Sequence, residues 1–303
     1  MTAFLRLLDA EIRRYWARRL VRVLLLLSLV VPTVVVAVLT ARSSVKNETR
    51  ETFVYSEEDC FEELPDGSSV YFPGCGDATP SETTSEVVRV DQRIDVVDDL
   101  ADAVNGSGTT LMFLAVLIGA SFLGAEIGAA SLSTQLLYEP RRTLVWTAKA
   151  VAVGLGSALF SLAVLALLAL ELWGGAAWRG VVEGADADWV VARVGDVLRA
   201  SGAAALAGML AFGITGIARR TVAAVAGFLA LGMIVEPALY GIFNVFDGRL
   251  PISALFAFAS NSLSGEGGID GIDSLLRAGT VAAIWAAGAL AAGGVLFARR
   301  EVR

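Results

Sequence analysis

The side chains that commonly carry out enzymatic chemistry are scarce in this sequence of 303 residues. It contains no histidine, which excludes histidine metal ligands, general bases and proton relays. A P-loop needs Gly-Lys followed by Ser or Thr, but the two lysines of the chain, Lys46 and Lys149, follow a valine and an alanine. We therefore expect no catalytic residues, no metal and no cofactor in this chain, and we predict that it is not an enzyme.

One acidic residue lies deep within an apolar segment. Glu236 occurs in LGMIVEPALYG, where the following Pro237 interrupts helical hydrogen bonding. Ionisable groups inside a membrane are expensive and are usually kept for function, so Glu236 is a candidate gate or pathway residue. The alternative is a structural role, in which backbone groups at the helix break satisfy the carboxylate. Ion-coupled carriers usually hold several charged groups within the membrane, so a single acid disfavours a secondary transporter.

The most polar short connection within the apolar part of the chain is GAEIGAASLSTQLLYEPRRTLVWTAK, from Gly124 to Lys149. Its candidate functional residues are Glu126, Tyr138, Glu139, Pro140, Arg141 and Arg142. The residues up to Leu137 can form a short interfacial helix, and Pro140 then forces a break. We expect Glu126 to pair with a basic residue of this loop, and Lys149 to snorkel back to the membrane surface.

The segments that position these residues are strongly apolar. The chain is 55% hydrophobic and 18% charged, whereas soluble domains carry about 25% charged residues. Its apolar runs are long enough to cross a bilayer, which takes about 20 helical residues. The predicted spans are Leu20–Ala41, Thr109–Ile127, Leu144–Leu172, Ala200–Ile217, Thr221–Phe243 and Leu276–Ala298. The sequence therefore predicts an all-α integral membrane protein with six transmembrane helices in one domain, residues 1–303.

The distribution of basic residues predicts the orientation of these spans. With the N-terminus inside, the inner segments hold 14 of the 24 Lys and Arg residues in only 54 residues. This asymmetry satisfies the positive-inside rule. We expect a multi-pass protein of the cell (plasma) membrane with both termini in the cytoplasm.

Residues 1–19 have the pattern of an amphipathic helix. One helical face carries Phe4, Leu8, Ile12, Tyr15 and Trp16, and much of the rest carries Arg6, Asp9, Arg13, Arg14 and Arg18. Such a helix lies in the inner membrane interface. The alternative is a plain basic anchor that precedes the first span.

The largest outer segment, residues 42–108, carries 16 acidic residues and the two cysteines of the chain. Cys60 and Cys75 both lie on the oxidising side of the membrane in this topology, so we predict a disulfide in a small extracellular insert. The alternative is two free thiols.

Residues 244–275 are apolar but are interrupted by Asp247, Gly248, Pro251 and Asn261. This pattern indicates short re-entrant helices, because broken backbone at membrane depth must be lined by protein. An ordinary outer loop on the interface is the alternative.

Small residues recur at helical spacing in two predicted spans. They are Ala120, Gly124 and Gly128 in the second span, and Gly279, Ala283, Ala287 and Ala291 in the last. Such stripes allow close helix packing, within the chain or between two copies, more often than they line a substrate path.

The polar connection resembles the corresponding segment of ATP-binding-cassette exporter permeases of the type-2 class. Those permeases carry Gly-x-Glu, a small residue with Ser or Thr, Leu-Leu, Pro followed by Arg, and a Lys that enters the third span. The matching residues are Gly124, Glu126, Ala130-Ser131, Leu136-Leu137, Pro140-Arg141-Arg142 and Lys149. This chain differs in having Ala130 where Gly is usual, and in having Arg directly after Pro. The six spans, the amphipathic start, the large first outer loop and the broken segment before the last span also fit, so the resemblance covers essentially the whole chain.

The resemblance implies the membrane-spanning subunit of an exporter that has no ATPase of its own. Two copies of the permease, expected to be a homodimer, would pair with two separate ATPase subunits that bind ATP and Mg. The loop at residues 126–143 would dock on the ATPase as a coupling helix, and the substrate would be lipophilic and leave the cytoplasm or the inner leaflet. No nucleic-acid partner is expected. The alternative is a non-transporting membrane sensor or assembly protein that uses its acidic outer domain.

Overall fold

The computed structural model describes residues 2–54, 61–63, 69–71, 82–91, 93–129, 131–243, 250–260 and 275–299. The helices are α1 (Thr2–Ala17), α2 (Arg19–Arg42), α3 (Val96–Gly128), α4 (Ser131–Tyr138), α5 (Arg142–Arg179), α6 (Ala187–Ala218), α7 (Thr221–Ala230), α8 (Glu236–Phe243), α9 (Pro251–Ser260) and α10 (Leu275–Arg299). The strands are β1 (Val45–Val54), β2 (Phe61–Glu63), β3 (Ser69–Tyr71) and β4 (Glu82–Asp91).

Six helical segments among the described residues are long and apolar enough to cross a membrane. They are Arg19–Arg42, Val96–Gly128, Arg142–Arg179, Ala187–Ala218, Thr221–Leu239 and Leu275–Arg299. Each overlaps one of the six predicted spans. The prediction of six apolar helices of membrane-spanning length is therefore confirmed.

Two of these helices begin well before the predicted apolar runs. α3 begins at Val96 and α6 at Ala187, 13 residues earlier than the hydropathy pattern indicates in each case. Asp95 caps α3 by accepting a hydrogen bond from Val97 N at 2.8 Å, and Asp186 caps α6 by accepting one from Trp189 N at 2.8 Å. Since these caps satisfy donors that an N-terminus leaves free, the helices extend with polar first turns beyond the apolar stretch.

The outer segment contains strands, so the all-α prediction holds for the membrane-spanning helices and not for this insert. β1 pairs with β4 and β2 pairs with β3, both in antiparallel register. β1 and β4 are rich in Val and Thr, β-branched residues that favour extended backbone. Cys60 and Cys75 lie outside the described residues.

Helix α6 lies at the centre of the bundle and packs against α3, α5, α9 and α10. Its closest approach to α3 depends on glycine, because a Cβ atom added at Gly119 would lie 2.2 Å from the carbonyl oxygen of Gly208. A side chain at Gly119 would push the backbones of α3 and α6 apart, whereas a Cβ atom at Gly208 would collide with Ser157 Oγ of α5 at 2.8 Å. This contact fixes α3, which carries Glu126, against the centre of the fold.

The two small-residue stripes differ in what they contact. Ala120 is buried, and a Cβ at Gly124 would collide with Thr221 of α7, so this part of the first stripe packs within the chain. In α10 the buried small residues are Ala278, Ala282, Ala286 and Gly293. Ala283, Ala287 and Ala291 are exposed on the other side of α10.

Helices α7 and α8 are joined by a π-helical turn, Leu231–Val235, directly before Glu236. Pro237 cannot donate a backbone hydrogen bond, and its ring would clash with the carbonyl four residues earlier in a regular helix. The wider π turn accommodates this proline. The interruption predicted at Pro237 is therefore a local widening within one continuous helical segment.

Candidate functional site

Lys149 is the centre of a group of charged side chains at one end of the bundle. Its Nζ atom lies 2.9 Å from Glu11 Oε2 and 2.7 Å from Glu126 Oε2. The side chain is 1% exposed, so the prediction that it snorkels to the surface is wrong. The two carboxylates supply the partners that water would otherwise provide, which allows the ammonium group to stay buried.

Glu11 is the second fully buried member of this group. Its Oε2 atom binds Lys149, while its Oε1 atom accepts hydrogen bonds from Arg14 at 3.0 Å and from Gln135 at 2.6 Å. Glu11 belongs to α1, Gln135 to α4 and Lys149 to α5. One carboxylate therefore joins the amphipathic helix and the short loop helix to a membrane-spanning helix.

Arg18 completes the group on the other side of Glu126. Its Nη2 atom donates to Glu126 Oε1 at 2.8 Å, its Nη1 atom donates to the carbonyl of Ser121 at 3.0 Å, and its Cζ atom lies 4.2 Å from the centre of the Phe122 ring. Burial lowers the pKa of the Arg18 guanidinium, and the Glu126 and Glu11 carboxylates oppose that shift. Glu126 therefore pairs with Arg18 of the N-terminal segment as well as with Lys149, the last residue of its own connection.

We call these side chains the inner polar cluster, and its end of the bundle the inner end, because the distribution of basic residues predicts that this end faces the cytoplasm. The members are Glu11, Arg14, Arg18, Glu126, Gln135 and Lys149. They comprise three basic side chains, two carboxylates and one amide. The cluster is held by four elements: α1 with its C-terminal linker, α3, α4 and α5.

Tyr15 fixes α1 next to the cluster. Its ring is buried against α5 at Gly156, and its hydroxyl lies 3.3 Å from Ser157 Oγ. Burial raises the pKa of Tyr15 to about 12, and the hydrogen bond with Ser157 acts in the opposite direction. The contact between Tyr15 and the Gly156 backbone needs a glycine, since a Cβ there would lie 2.7 Å from the ring.

The loop side of the site is α4 and the turn that follows it. Leu132 is buried and Gln135 reaches the inner polar cluster, whereas Leu137 and Tyr138 are 83% and 87% exposed. Helix α4 thus has one face attached to the bundle and an apolar, aromatic end that faces outward. Exposed apolar groups bordered by polar residues are typical of protein–protein contact surfaces.

The other predicted coupling residues lie along the same turn. Pro140 and Arg141 are exposed, while Glu139 and Arg142 are half-buried. Arg142 Nη1 lies 3.5 Å from the carbonyl of Ala298, near the C-terminal end of α10, where a cation is favoured. The structure therefore brings Glu126 into the inner polar cluster and leaves Tyr138, Pro140 and Arg141 on the surface beside it.

A polar cavity of about 560 Å³ lies between α1, the end of α3 and α4. Arg14, Arg18, Glu126, Gln135 and Tyr138 are among the residues that line it. The cavity separates the exposed end of α4 from the buried ion pairs.

The sequence analysis did not identify Glu11. It lies on the buried face of α1 together with Tyr15, at i and i+4 spacing, and Arg18 follows directly after the end of this helix. An acid on the same helical face as a tyrosine was the available signal. Its position among five nearby arginines made it resemble part of a solvated charged face.

Glu236 lies elsewhere, at the N-terminus of α9. Its Oε1 and Oε2 atoms accept hydrogen bonds from the backbone nitrogens of Ile252 at 2.6 Å and of Ser253 at 2.8 Å. The carboxylate therefore satisfies free donors of a helix start and complements its dipole. The donors belong to α9, and not to the helix break at Pro237 that the structural alternative assumed.

Arg199 serves the opposite end of α9. Its Nη1 atom donates to the carbonyl of Phe258, and its Nη2 atom donates to Asp196 Oδ1 at 3.1 Å and to Asn105 Oδ1 at 3.3 Å. A short apolar helix is thus held by an acid at its start and by an arginine at its end. We call Glu236, Arg199, Asp196 and Asn105 the α9 clamp.

Comparison with known proteins identified no relative: no family model, no curated protein and no solved structure matches this chain.

Proposed function

We propose that this chain is the membrane-spanning permease subunit of an ATP-binding-cassette exporter, and that a separate ATPase docks on α4 and the turn that follows it. The observation that carries the proposal is the construction of α4. One side of this helix binds the inner polar cluster through Gln135, while Leu137 and Tyr138 are exposed beside Pro140 and Arg141. A short helix that is anchored on one side and apolar on the other is suited to receive a partner protein.

The contacts of α4 suggest how motion of the ATPase would reach the membrane helices. A displacement of α4 would move Gln135, whose amide donates to Glu11 at 2.6 Å. Glu11 is paired with Lys149 of α5, and Lys149 is paired with Glu126 of α3. Because these groups are shielded from water, a change in one pair alters the stability of the next. The inner polar cluster would therefore transmit the movement to α1, α3 and α5 together.

The resemblance to type-2 exporter permeases supports the same function from the sequence side. It rests on the ordered residues of the polar connection and on the missing P-loop, which requires ATP and Mg to bind on a partner chain. In this proposal the inner end faces the cytoplasm, the protein resides in the plasma membrane, and Cys60 and Cys75 form a disulfide in the extracellular insert. The exported substrate is lipophilic, in keeping with the apolar spans.

Two further parts of the proposal concern the helices at the end of the chain. α9 has 10 residues, about 15 Å as a helix, which is half of a hydrocarbon core of about 30 Å. It packs against α3, α6 and α10, so we propose that it is a re-entrant segment, with Glu236 as a gate residue at its start.

The exposed small residues Ala283, Ala287 and Ala291 of α10 offer a surface on which a second copy of the chain can pack.

The test is reversal of charge at the turn that follows α4 (residues 139–142), which we call the docking turn. The Arg141→Glu, Arg142→Glu double variant is co-expressed with the ATPase encoded beside this protein, and the complex is purified through a tag on the permease. We expect the amount of co-purified ATPase and its permease-dependent ATP turnover to fall about tenfold or more, because like charges across an interface are strongly unfavourable.

The matched control reverses two exposed arginines of α1, Arg6 and Arg13, which lie at the inner end but outside the docking turn. This control should leave ATPase binding unchanged. Normal binding and turnover in the Arg141, Arg142 variant, at normal expression, would contradict the proposal. If a kinase or protease is encoded beside the protein instead of an ATPase, the sensor alternative is favoured.

A further inference from the structure

A groove of about 700 Å³ runs between α2 and α3, toward the end of the bundle opposite the inner polar cluster. Val31, Val35 and Leu39 of α2 form one wall, and Ala103 and Ser107 of α3 form part of the other. Its volume falls within the range of about 300–1,000 Å³ that is usual for small-molecule sites. The groove is open on its outward side, so a ligand can enter from the surroundings of the helices.

The shape of the groove follows from residue spacing. On α3 the lining residues Asp99, Ala103 and Ser107 are four positions apart, so they form one line along the helix. That line is about 12 Å long at 1.5 Å per residue. The buried Leu168 and Leu172 of α5 form the floor. The result is a straight apolar channel parallel to the helices.

Polar contacts on the other side of α2 keep this channel open. Thr33 of α2 donates a hydrogen bond to Glu171 of α5, and Ser43 Oγ donates to the carbonyl of Arg179 at 3.0 Å. Ser43 Oγ also accepts from the backbone nitrogen of Ile94 at 3.2 Å. The first two bonds attach α2 and the residue that follows it to α5, and the third joins that same residue to Ile94, which precedes α3. Helix α2 therefore packs mainly on α5 and touches α3 little.

Charged side chains gather at one end of the channel. Arg42 at the end of α2, Arg93 just before α3, and Asp99 in the first turn of α3 line this outer end, and all three are exposed. Asp99 Oδ2 accepts a hydrogen bond from Asp95 N at 2.9 Å, which occupies one of about four acceptor positions of a carboxylate. The site thus presents two guanidinium groups and one carboxylate above an apolar channel.

We propose that this groove binds one phospholipid with a primary-amine headgroup, such as phosphatidylethanolamine. An acyl chain would lie along the channel between α2 and α3. The headgroup phosphate would contact Arg42 and Arg93, because a guanidinium matches phosphate geometry with paired hydrogen bonds. The ammonium group would donate to Asp99, which places both headgroup charges beside side chains of opposite sign.

The charge pattern selects among the common phospholipids. Phosphatidylglycerol has a phosphate but no cation, so only its neutral glycerol hydroxyls could donate to Asp99, and neutral donors bind a carboxylate more weakly than an ammonium group does. Phosphatidylcholine has a cation that carries no N–H group, so it cannot donate a hydrogen bond to Asp99. The amine headgroup alone among these three brings a phosphate for the arginines and a charged donor for the carboxylate. The proposal concerns lipid binding by this chain and does not depend on a partner ATPase.

Native mass spectrometry of the full-length protein in detergent tests the proposal. Phosphatidylethanolamine, phosphatidylglycerol and phosphatidylcholine with identical acyl chains are titrated separately, and the occupancy of the first bound lipid is compared. We expect phosphatidylethanolamine to bind about tenfold more tightly than the other two, which corresponds to about 1.4 kcal/mol. Equal binding of the three lipids would overturn the proposal.

Matched substitutions locate the site. Ala103→Phe fills the channel and should abolish the preference, whereas Ala226→Phe makes the same change on an exposed face of α7 and should bind as the wild type does. Arg42→Gln, at an exposed position that disturbs no buried group, should weaken phosphatidylethanolamine and phosphatidylglycerol alike. Asp99→Asn should remove the preference for phosphatidylethanolamine over phosphatidylglycerol.

Two results would contradict the groove as the site. One is retention of phosphatidylethanolamine by both Ala103→Phe and Arg42→Gln. The other is a change in oligomeric state of Ala103→Phe with no change in lipid binding, which would mean that a second copy of the chain covers the groove. Size-exclusion chromatography and circular dichroism of each variant establish that it is folded. If Ala103→Phe does not fold, Arg42→Gln alone still tests the proposal.

Discussion

The inner polar cluster and the α9 clamp are both groups of buried charges, but they act on different parts of the chain. In the cluster, side chains bind other side chains and join α1, α3, α4 and α5 at one end of the bundle. In the clamp, Glu236 and Arg199 bind the two ends of a helix backbone. The cluster therefore couples several elements to each other, whereas the clamp fixes one short element in place.

This difference suggests separate consequences for stability and for function. Glu236 serves a helix end and can be lost with local effects on that helix, because its partners are backbone groups of one element. A charge of the inner polar cluster cannot be lost locally, since members on several elements lose a partner at once. The following predictions test that distinction, from the largest expected effect to the smallest.

Replacing Lys149 with methionine should have the largest effect. It leaves Glu11 fully buried without its ammonium partner, and breaking one partner of a buried pair costs about 3–5 kcal/mol. We expect a loss of this size in the free energy of unfolding, measured by denaturant titration in detergent micelles. Adding Glu11→Gln to this variant should recover part of the loss, because the uncompensated charge is removed. A Lys149→Met variant as stable as the wild type would show that the cluster does not hold the helices together.

Replacing Glu236 with alanine should have an intermediate and local effect. The backbone nitrogens of Ile252 and Ser253 lose their acceptor, and unsatisfied buried donors cost about 1–3 kcal/mol. Hydrogen exchange of the α9 amides should increase, while exchange in α1 and α5 should not. Faster exchange throughout the bundle would contradict the idea that the clamp acts on α9 alone.

Replacing Gln135 with alanine should have a smaller effect on stability than either change. It removes one hydrogen bond to Glu11, but Arg14 still donates to the same oxygen, so we expect a loss of about 1 kcal/mol in the free energy of unfolding. In the proposed exporter complex it should lower permease-dependent ATP turnover more than it lowers ATPase binding. A loss of binding equal to the loss of turnover would mean that Gln135 only supports the docking surface.

Replacing Tyr15 with phenylalanine should have the smallest effect at neutral pH, about 0.5–1.5 kcal/mol for one hydrogen bond. The difference should change with alkaline pH. The unfolded phenol ionises near pH 10, whereas burial raises the pKa of Tyr15 to about 12 in the folded protein. Between these values the unfolded state loses the proton first, so wild-type stability should fall as pH rises, and Tyr15→Phe should lack this fall. An ultraviolet difference titration of the two proteins, which follows tyrosinate, should show one group ionising near pH 12.

Hydropathy was sufficient to locate the six long apolar helices, because apolar length alone determines whether a helix can cross a bilayer. The role of Lys149 was not accessible in this way. Its partner Glu11 lies 138 residues away in the chain, and a local pattern cannot show a carboxylate that only folding brings near. Without that partner, snorkelling is the expected behaviour of a lysine near a helix end.

The residues of the candidate site likewise divide into those that a local sequence pattern reveals and those that it does not. Glu126 was identified because it stands at the end of an apolar span, a position where charge is conspicuous. Glu11 was missed because it stands among arginines, where a single acid is unremarkable. Arg199 lies just outside the predicted span Ala200–Ile217, although the helix itself begins at Ala187. Hydropathy marks where a helix becomes apolar, while Asp186 determines where it starts.

The sequence separation within the inner polar cluster also has a consequence for biosynthesis. Glu11 and Arg18 leave the ribosome first, and Lys149 follows Glu11 by 138 residues, which is roughly 7–28 s at translation rates of about 5–20 residues per second. During that time Glu11 lacks its Lys149 partner, so we expect α1 to stay at a hydrated surface until α5 has been synthesised. Synthesis of α5 then supplies the buried counter-charge, after which α1 can dock on the bundle.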